Sequence, residues 1–226
     1  MRDSLWKANW ASASDGDRSG RSGMSPSGRE RDISDQGECT NGGVRSFAML
    51  LGPADLPGRG WEISEERHWP TGQLDPTSEK SQRALQAGGV TAWRSLTQTE
   101  AMRSAWVEVV PYATADDTVL SLRQVPRYFV GAQRPDETIV SERRVDDQHL
   151  MGVSDTWVYE KSTTDAAGTS LSRYVGGTID CILFLTCCSG REAFWPWPDV
   201  MDVAERQAER VRGVLGTAGG SDISQL

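Results

Sequence analysis

The sequence of 226 residues is poor in the side chains that most often build metal and catalytic sites. It holds only two His and four Cys, and it has neither a C-x-x-C pair nor an H-E-x-x-H motif. Those spacings bring metal ligands together on one turn or one helix face. The glycine-rich phosphate loop and the G-x-S-x-G nucleophile motif are missing as well. We therefore predict no metal, no cofactor and no catalytic residue of these kinds.

Long apolar runs and clusters of basic residues are also missing. No stretch reaches the ~18 apolar residues that a membrane-spanning helix needs, and the N-terminus lacks the apolar region of a secretory signal peptide. The net charge is −8, from 24 Lys and Arg against 32 Asp and Glu, so nucleic acid and anionic membranes are unsuitable partners. These features predict a cytoplasmic protein that binds neither nucleic acid nor membrane.

The spacing of the cysteines does not favour a disulfide. On one strand, Cys181 and Cys187 would lie roughly 20 Å apart, which is beyond the reach of a disulfide. Buried, reduced thiols are the favoured interpretation. A redox role for Cys187 and Cys188 is the alternative.

The two ends of the chain differ in composition from its centre. Residues 1–46 contain nine Ser, seven Gly and one Pro, and their seven basic residues balance seven acidic ones. Such a segment buries too little apolar surface to fold by itself. We predict disorder for residues 1–46 and 217–226 and one folded domain over residues 47–216. Met24 is an alternative start, so the first 23 residues need not belong to the protein.

Residues 156–190 contain the strongest strand signals in the chain. The turn signal at residues 165–168 ends in Gly, and a loop centred there places Tyr159 opposite Tyr174 and Glu160 opposite Arg173. Cross-strand pairs of this kind each stabilise a hairpin by roughly 0.2–1 kcal/mol. We therefore predict a β-hairpin organised around this turn.

The second strand of that hairpin is predicted to continue into the apolar run 179–188. Because this run is apolar at successive positions, it is typical of a central strand that is covered on both faces; a helix is the alternative. The pair Gly176 and Gly177 within the strand indicates a bulge or a close approach of another backbone.

A second hairpin is predicted from residues 90–98 and 103–112. If its connection is centred between Thr99 and Glu100, Trp93 lies directly opposite Trp106. Both Trp side chains then share one face of the sheet with Glu108.

The last predicted helix, over residues 199–215, has an amphipathic pattern and ends at Gly216. The stripe expected to face the sheet consists of Val200, Val203, Ala204, Gln207, Ala208, Val211, Val214 and Leu215. With the other elements, the order is β-α-β-β-α-β-β-β-α. Short connections predict a single α+β domain with a mostly antiparallel sheet of about six strands.

The segment that leads into the domain carries Leu50-Leu51, Asp55-Leu56-Pro57 and Gly60-Trp61. It resembles the same region of small actinobacterial sensor-like and lipoprotein-like domains, which include the extracellular sensor of a mycobacterial serine/threonine kinase and PsbP-like lipoproteins. The resemblance implies an antiparallel sheet with flanking helices and a role in ligand sensing or interaction. It also implies export and disulfide bonds, and this sequence shows signals for neither.

Aromatic residues are the main functional signal. The candidate ligand-binding residues are Trp93, Trp106, Trp157, Tyr159 and Trp195. We predict that they line a pocket for a small apolar or planar ligand in a non-catalytic binding, sensor or interaction domain. Packing of the same side chains in the core is the competing interpretation, and a solid core with no cavity of roughly 300 Å³ would count heavily against the pocket. A protein partner is also compatible, and the sequence does not determine the oligomeric state.

A small enzyme is the second hypothesis. It would use an isolated His, Cys or carboxylate in a cleft, with a pKa shifted by its surroundings. His149, which follows Asp146 and Asp147, is one candidate base, and an exposed loop histidine is the alternative interpretation.

Overall fold

One antiparallel sheet of seven strands runs through the computed structural model, which describes residues 45–73, 75–191 and 195–219. The strands are β1 (Glu62–Pro70), β2 (Val90–Gln98), β3 (Arg103–Pro111), β4 (Thr138–Arg144), β5 (Thr156–Asp165), β6 (Gly168–Ile179) and β7 (Ile182–Gly190). The helices are α1 (Glu79–Gln86), α2 (Ala115–Gln124), α3 (Pro126–Phe129) and α4 (Trp197–Gly219). The strand order across the sheet is β1-β2-β3-β7-β6-β5-β4. The predicted α+β class with an antiparallel sheet is confirmed.

The structure has one strand more than predicted because the run 179–188 contains a turn. Ile179 pairs with Ile182, and Asp180 between them has a φ of 50°, a left-handed conformation that Asp tolerates better than most residues. The chain reverses there, and β7 takes the central position between β3 and β6. The predicted central strand is thus confirmed from Ile182 onward, whereas its continuity with β6 is wrong.

The predicted register of the hairpin β5–β6 is confirmed. Tyr159 pairs with Tyr174 and Glu160 with Arg173, and Arg173 Nε donates to Glu160 Oε2 at 2.7 Å. The register is continuous at Gly176 and Gly177, so the predicted bulge is wrong.

These two glycines instead make room for neighbouring side chains. A Cβ atom on Gly176 would lie 2.6 Å from Leu185 Cδ2, on one face of the sheet. A Cβ atom on Gly177 would lie 2.7 Å from Phe184 Cζ, on the other face. The close approach expected at this pair therefore comes from side chains that pack on both faces.

The register of the hairpin β2–β3 differs from the prediction by two residues. Trp93 pairs with Glu108, and Ser95 pairs with Trp106. The connection is centred one residue later than predicted, between Glu100 and Ala101, and includes Met102, whose φ is 47°. A shift of two residues keeps every side chain on its predicted face, so Trp93, Trp106 and Glu108 still lie on the same face.

Helix α4 covers one face of the sheet and packs on β6 and β7. The core on this face also includes Leu50, Leu51 and Trp61 from the segment before β1. The stripe predicted for the helix is buried from Val200 to Val211. The predicted end at Gly216 is wrong, since α4 continues to Gly219; a Gly inside a helix destabilises by only about 1 kcal/mol relative to Ala.

Helices α2 and α3 lie over the other face. Leu122 and Val125 pack there against Leu183 and Leu185 of β7, in a core separate from the first. Strand β7 is therefore covered on both faces. None of the helices in the described residues is both long enough and apolar enough to cross a membrane. The predicted disorder of residues 1–46 and 217–226 lies outside the described residues, except at positions 45–46 and 217–219.

Gln207 connects α4 to the segment before β1. It is fully buried; its Nε2 donates to the carbonyl of Met49 at 2.7 Å, and its Oε1 accepts from the amide of Leu51 at 3.3 Å. We expect Gln207→Leu to lower the free energy of unfolding by about 2 kcal/mol, because two buried backbone groups lose their partner. Urea denaturation would measure the change. Glu205→Gln, on the exposed side of the same helix, is the control, and equal stabilities of the two variants would contradict the prediction.

Candidate functional site

Five aromatic side chains pack together on the face of the sheet beneath α3. This aromatic cluster consists of Trp106, Phe129, Trp157, Tyr159 and Tyr174. The ring of Phe129 lies 5.0 Å from that of Tyr174 and 5.5 Å from that of Trp157, centroid to centroid. Trp157 stacks on Tyr159 at 5.5 Å. Since Phe129 sits against most of the other rings, the cluster forms a packed layer between α3 and the sheet.

Polar contacts hold α3 and the following loop against this layer. The hydroxyl of Tyr159 donates a hydrogen bond to Glu142 Oε2 at 2.6 Å. This hydrogen bond is the main cause of the lowered pKa of Glu142. Burial is the main cause of the raised pKa of Tyr159, and the hydrogen bond adds to it. Lys161 Nζ donates to the backbone carbonyls of Phe129, at 3.0 Å, and of Ala132. Burial lowers the pKa of Lys161.

A cavity of about 60 Å³ lies next to the aromatic cluster, between the sheet and helices α1 to α3. We call it the Glu108 cavity. Apolar side chains that line it include Val110, Val125, Leu183 and Leu185, and its rings are those of Trp69, Tyr112, Tyr128 and Phe129. The remaining lining residues are Gly72, Asp75, Lys80, Ser81, Thr91, Glu108 and Ser121. The cavity therefore combines an apolar base with several polar groups.

Glu108 is the unusual residue of this cavity. It lies in the middle of β3, only 1% exposed, and its Oε2 has no hydrogen-bond partner among the described residues. Burial raises the pKa of Glu108 to about 8, so the carboxyl group is mostly protonated at pH 7. A buried polar atom without a partner is uncommon in folded proteins and requires an explanation.

The groups around Glu108 are already paired with one another. Lys80 Nζ donates to Ser121 Oγ at 2.9 Å and to Gln124 Oε1 at 2.5 Å, and it lies 5.9 Å from the centre of the Tyr112 ring. Burial lowers the pKa of Lys80. Burial also raises the pKa of Tyr112 to about 12, against a hydrogen bond with Ser121. Lys80 is thus held at the rim by α2.

An ion pair fixes α1 to α2 above the cavity. Arg83 Nε donates to Asp117 Oδ2 at 3.0 Å, and this contact is the main cause of the lowered pKa of Asp117. The amide of Asp117 donates to Thr114 Oγ1, which caps α2. The positions of Lys80 and Ser121 follow from this arrangement.

The structure brings four of the five predicted ligand-binding residues to one face. Trp106, Trp157 and Tyr159 belong to the aromatic cluster, and Trp93 lies across from Glu108 with an indole nitrogen that is buried and has no partner among the described residues. Trp195 lies on the opposite face, where its ring is 5.4 Å from that of Trp61. None of the five is among the residues that line the Glu108 cavity.

The other predicted candidates lie apart from this cavity. His149 is in the loop between β4 and β5, and His68 packs against Phe47 at 5.6 Å. Cys181, Cys187 and Cys188 are free thiols. Burial raises the pKa of Cys187 to about 12 and that of Cys188 well above its ordinary value. Since the thiolate is the reactive form, neither group has the character of a nucleophile.

Glu108 was not a candidate in the sequence analysis. A signal for it was present, since the strand places Trp106, Glu108 and Val110 on one face. A carboxyl group on the apolar face of a central strand is rare, because Glu is almost never fully buried without a partner.

Comparison with known proteins gives likenesses of fold only. No family model and no curated protein matches the chain. The extracellular domain of PknH from Mycobacterium tuberculosis aligns with 76% of this chain and 96% of its own length, at 12% identity and a TM-score of 0.49. A putative uncharacterized protein from Mycobacterium smegmatis, an Rv0999 ortholog, aligns with 79% of this chain and 97% of its own, at 10% identity and a TM-score of 0.38.

The first of these likenesses corrects the cytoplasmic location predicted from the sequence. The PknH structure is an extracellular domain. The prediction rested on the absence of an apolar segment near the N-terminus, and we withdraw it.

Proposed function

We propose that this protein is a non-catalytic, sensor-type domain that binds a small ligand in the Glu108 cavity. The observation that carries the proposal is the unpartnered carboxyl oxygen of Glu108, buried beside open space. An unpaired buried polar group destabilises the fold, typically by about 1–3 kcal/mol. A ligand that supplies the missing hydrogen bond would offset that cost, and its binding energy would then depend on Glu108.

The size of the cavity limits the ligand. Its volume of about 60 Å³ is well below the roughly 300 Å³ of a typical small-molecule pocket. It is large enough to hold water molecules or a ligand of a few heavy atoms. The cavity therefore favours a smaller and more polar ligand than the apolar or planar one predicted from the sequence.

Binding is favoured over catalysis by the surroundings of Glu108. A general acid or base must lie within hydrogen-bond reach of the proton that it transfers. Lys80, which also lines the cavity, is engaged by Ser121 and Gln124. Within the described ranges, no group of three or more His, Cys, Asp and Glu could hold a metal ion.

An enzyme with an isolated carboxylate is the second candidate function. The pKa of about 8 for Glu108 favours it, because a carboxyl group with a pKa near neutrality can act as a general base. Turnover of any cavity ligand, followed by NMR over hours, would favour the enzyme. An unchanged ligand would favour the binding domain.

A screen of small polar molecules tests the proposal. We expect amines, amides and alcohols of two to four heavy atoms to include at least one that raises the melting temperature of the full chain, since binding to the native state stabilises it. The same molecule should not raise the melting temperature of the Glu108→Gln variant above its value in buffer alone. Glu62→Gln, an exposed position of the same sheet, is the matched control and should respond like the wild type. Equal responses of wild type and Glu108→Gln would contradict the proposal.

A further inference from the structure

We propose that the ligand of the Glu108 cavity is a small protonated amine, of the size of ammonium or methylammonium, held by the Glu108 carboxylate and by the surrounding aromatic rings. This inference rests on the proposed function and names its ligand class.

The lining of the cavity offers carboxyl groups and hydroxyl groups, and each hydroxyl can donate or accept. Ser81, Thr91, Tyr112, Ser121 and Tyr128 bring hydroxyl groups, and Asp75 and Glu108 bring carboxyl groups. Side-chain N–H groups come only from Trp69 and Lys80 among the described lining residues. An ammonium group carries donors and no acceptor, so it can pair with the unpartnered Oε2 of Glu108, which in the ionised form only accepts.

Aromatic rings support the same ligand class. The lining includes four aromatic rings, and the π-face of an aromatic ring attracts a cation within about 6 Å of its centroid. Lys80 already shows this at the rim, where its ammonium group lies 5.9 Å from the Tyr112 ring and donates to a hydroxyl and an amide oxygen. The carboxyl group of Glu108 lies in the same lining as the Tyr112 ring.

The charge balance favours one positive charge. The charged residues of the described lining are Asp75, Lys80 and Glu108. Asp75 and Lys80 cancel, and the nearby Asp117 is paired with Arg83. Ionised Glu108 would then be a single uncompensated negative charge in an apolar site, which is costly unless a cation joins it. A monovalent cation restores neutrality, and the volume of about 60 Å³ favours a small one.

Binding of such a cation is coupled to a proton. Burial raises the pKa of Glu108 to about 8, and the amine binds the ionised form. The other titratable groups of the lining are Asp75, Lys80, Tyr112 and Tyr128, and Asp117 of α2 acts on Lys80. The raised pKa of Tyr112, about 12, keeps that phenol out of the window between pH 6 and pH 9. The observed dissociation constant should therefore fall about tenfold per pH unit up to pH 8 and level off above it.

Titration of the full chain with methylammonium chloride tests this inference. Potassium chloride at the same ionic strength is the salt control, and tetramethylammonium is the size control. We expect Kd to fall about tenfold from pH 6 to pH 7 and again to pH 9, with nearly one proton released per ligand at pH 7. Glu108→Gln should weaken binding at least tenfold, whereas Glu62→Gln should not change it.

The other outcomes separate the two proposals. If neutral amides or alcohols bind in a manner that depends on Glu108 while methylammonium does not, the amine assignment is wrong and the binding function stands. If no small molecule of either class binds and the cavity holds only water, both proposals fail. If tetramethylammonium binds as well as methylammonium, binding occurs outside this cavity and the assignment is wrong.

Discussion

Replacing Glu108 with Gln makes the protein more stable above neutral pH, and this is the largest effect that we expect from a single substitution. The unfolded chain carries Glu108 at its ordinary pKa of 4.5, whereas burial raises the pKa to about 8 in the native state. Below pH 4.5 both states are protonated, and the group has no pH-dependent effect. As the pH rises from 4.5 to 8, the unfolded state loses its proton first, so native stability falls.

The size of this effect follows from the width of the pH window. Each pKa unit corresponds to about 1.4 kcal/mol, so the wild type should lose roughly 4 kcal/mol of stability between pH 4.5 and pH 8 relative to Glu108→Gln. At pH 7 the difference should be about 3 kcal/mol. Urea denaturation of both proteins at pH 5, 7 and 8.5 measures it.

A matched substitution isolates burial from charge. Glu62→Gln removes the same charge from an exposed position of β1 and should leave the pH profile of stability within about 0.5 kcal/mol of the wild type. If the free energy of unfolding depends on pH in the same way in the wild type and in Glu108→Gln, the Glu108 carboxyl group has an interaction partner in the folded protein in solution. In that case the cavity would lose the unpaired group on which the proposed function depends.

The aromatic face of the sheet was predictable because alternation along a strand tolerates errors in register. The structure shifts β2 against β3 by two residues relative to the prediction, and a shift of two returns each side chain to the same face. Trp93, Trp106 and Glu108 are therefore on the predicted face although their pairing is not as predicted. The register itself depended on the left-handed conformation of Met102, for which the sequence has no clear signal.

The turn that separates β6 from β7 was not predicted, for a different reason. Ile179 and Ile182 both belong to the core on the side of α4, so the apolar pattern continues through the turn at Asp180. The position of Trp195 could not be predicted either, because this residue does not belong to a periodic segment. Its contact with Trp61 joins two connecting segments that are far apart in the sequence.

The Glu108 cavity could not be predicted from the sequence, because it depends on how three helices and a loop pack together. Its base comes from β3 and β7, which the strand pattern predicts. Its rim depends on the ion pair between Arg83 and Asp117 and on the contacts of Lys80 with α2. Contacts between residues more than 30 positions apart leave no periodic signal in the chain.

The turn at Gly72 forms part of that rim, and Gly72→Ala should have the second largest effect on stability. Gly72 has a φ of 87°, and a Cβ atom there would lie 2.5 Å from the backbone oxygen of Ser81 in α1. A left-handed conformation costs an L-residue roughly 1–2 kcal/mol. The clash adds to that cost, because a backbone oxygen moves only if α1 moves with it. We expect a loss of about 3–4 kcal/mol in the free energy of unfolding, measured by urea denaturation.

Gly60→Ala separates the two causes. Gly60 has a similar φ of 78°, and a Cβ atom added to it would meet no atom within 4 Å among the described residues. That variant should therefore lose only the roughly 1–2 kcal/mol that the backbone conformation costs. The remaining loss in Gly72→Ala measures how tightly the loop after β1 holds α1, and with it Lys80, over Glu108. Equal losses in the two variants would mean that α1 yields freely, and the Glu108 cavity would then be open to larger ligands than methylammonium.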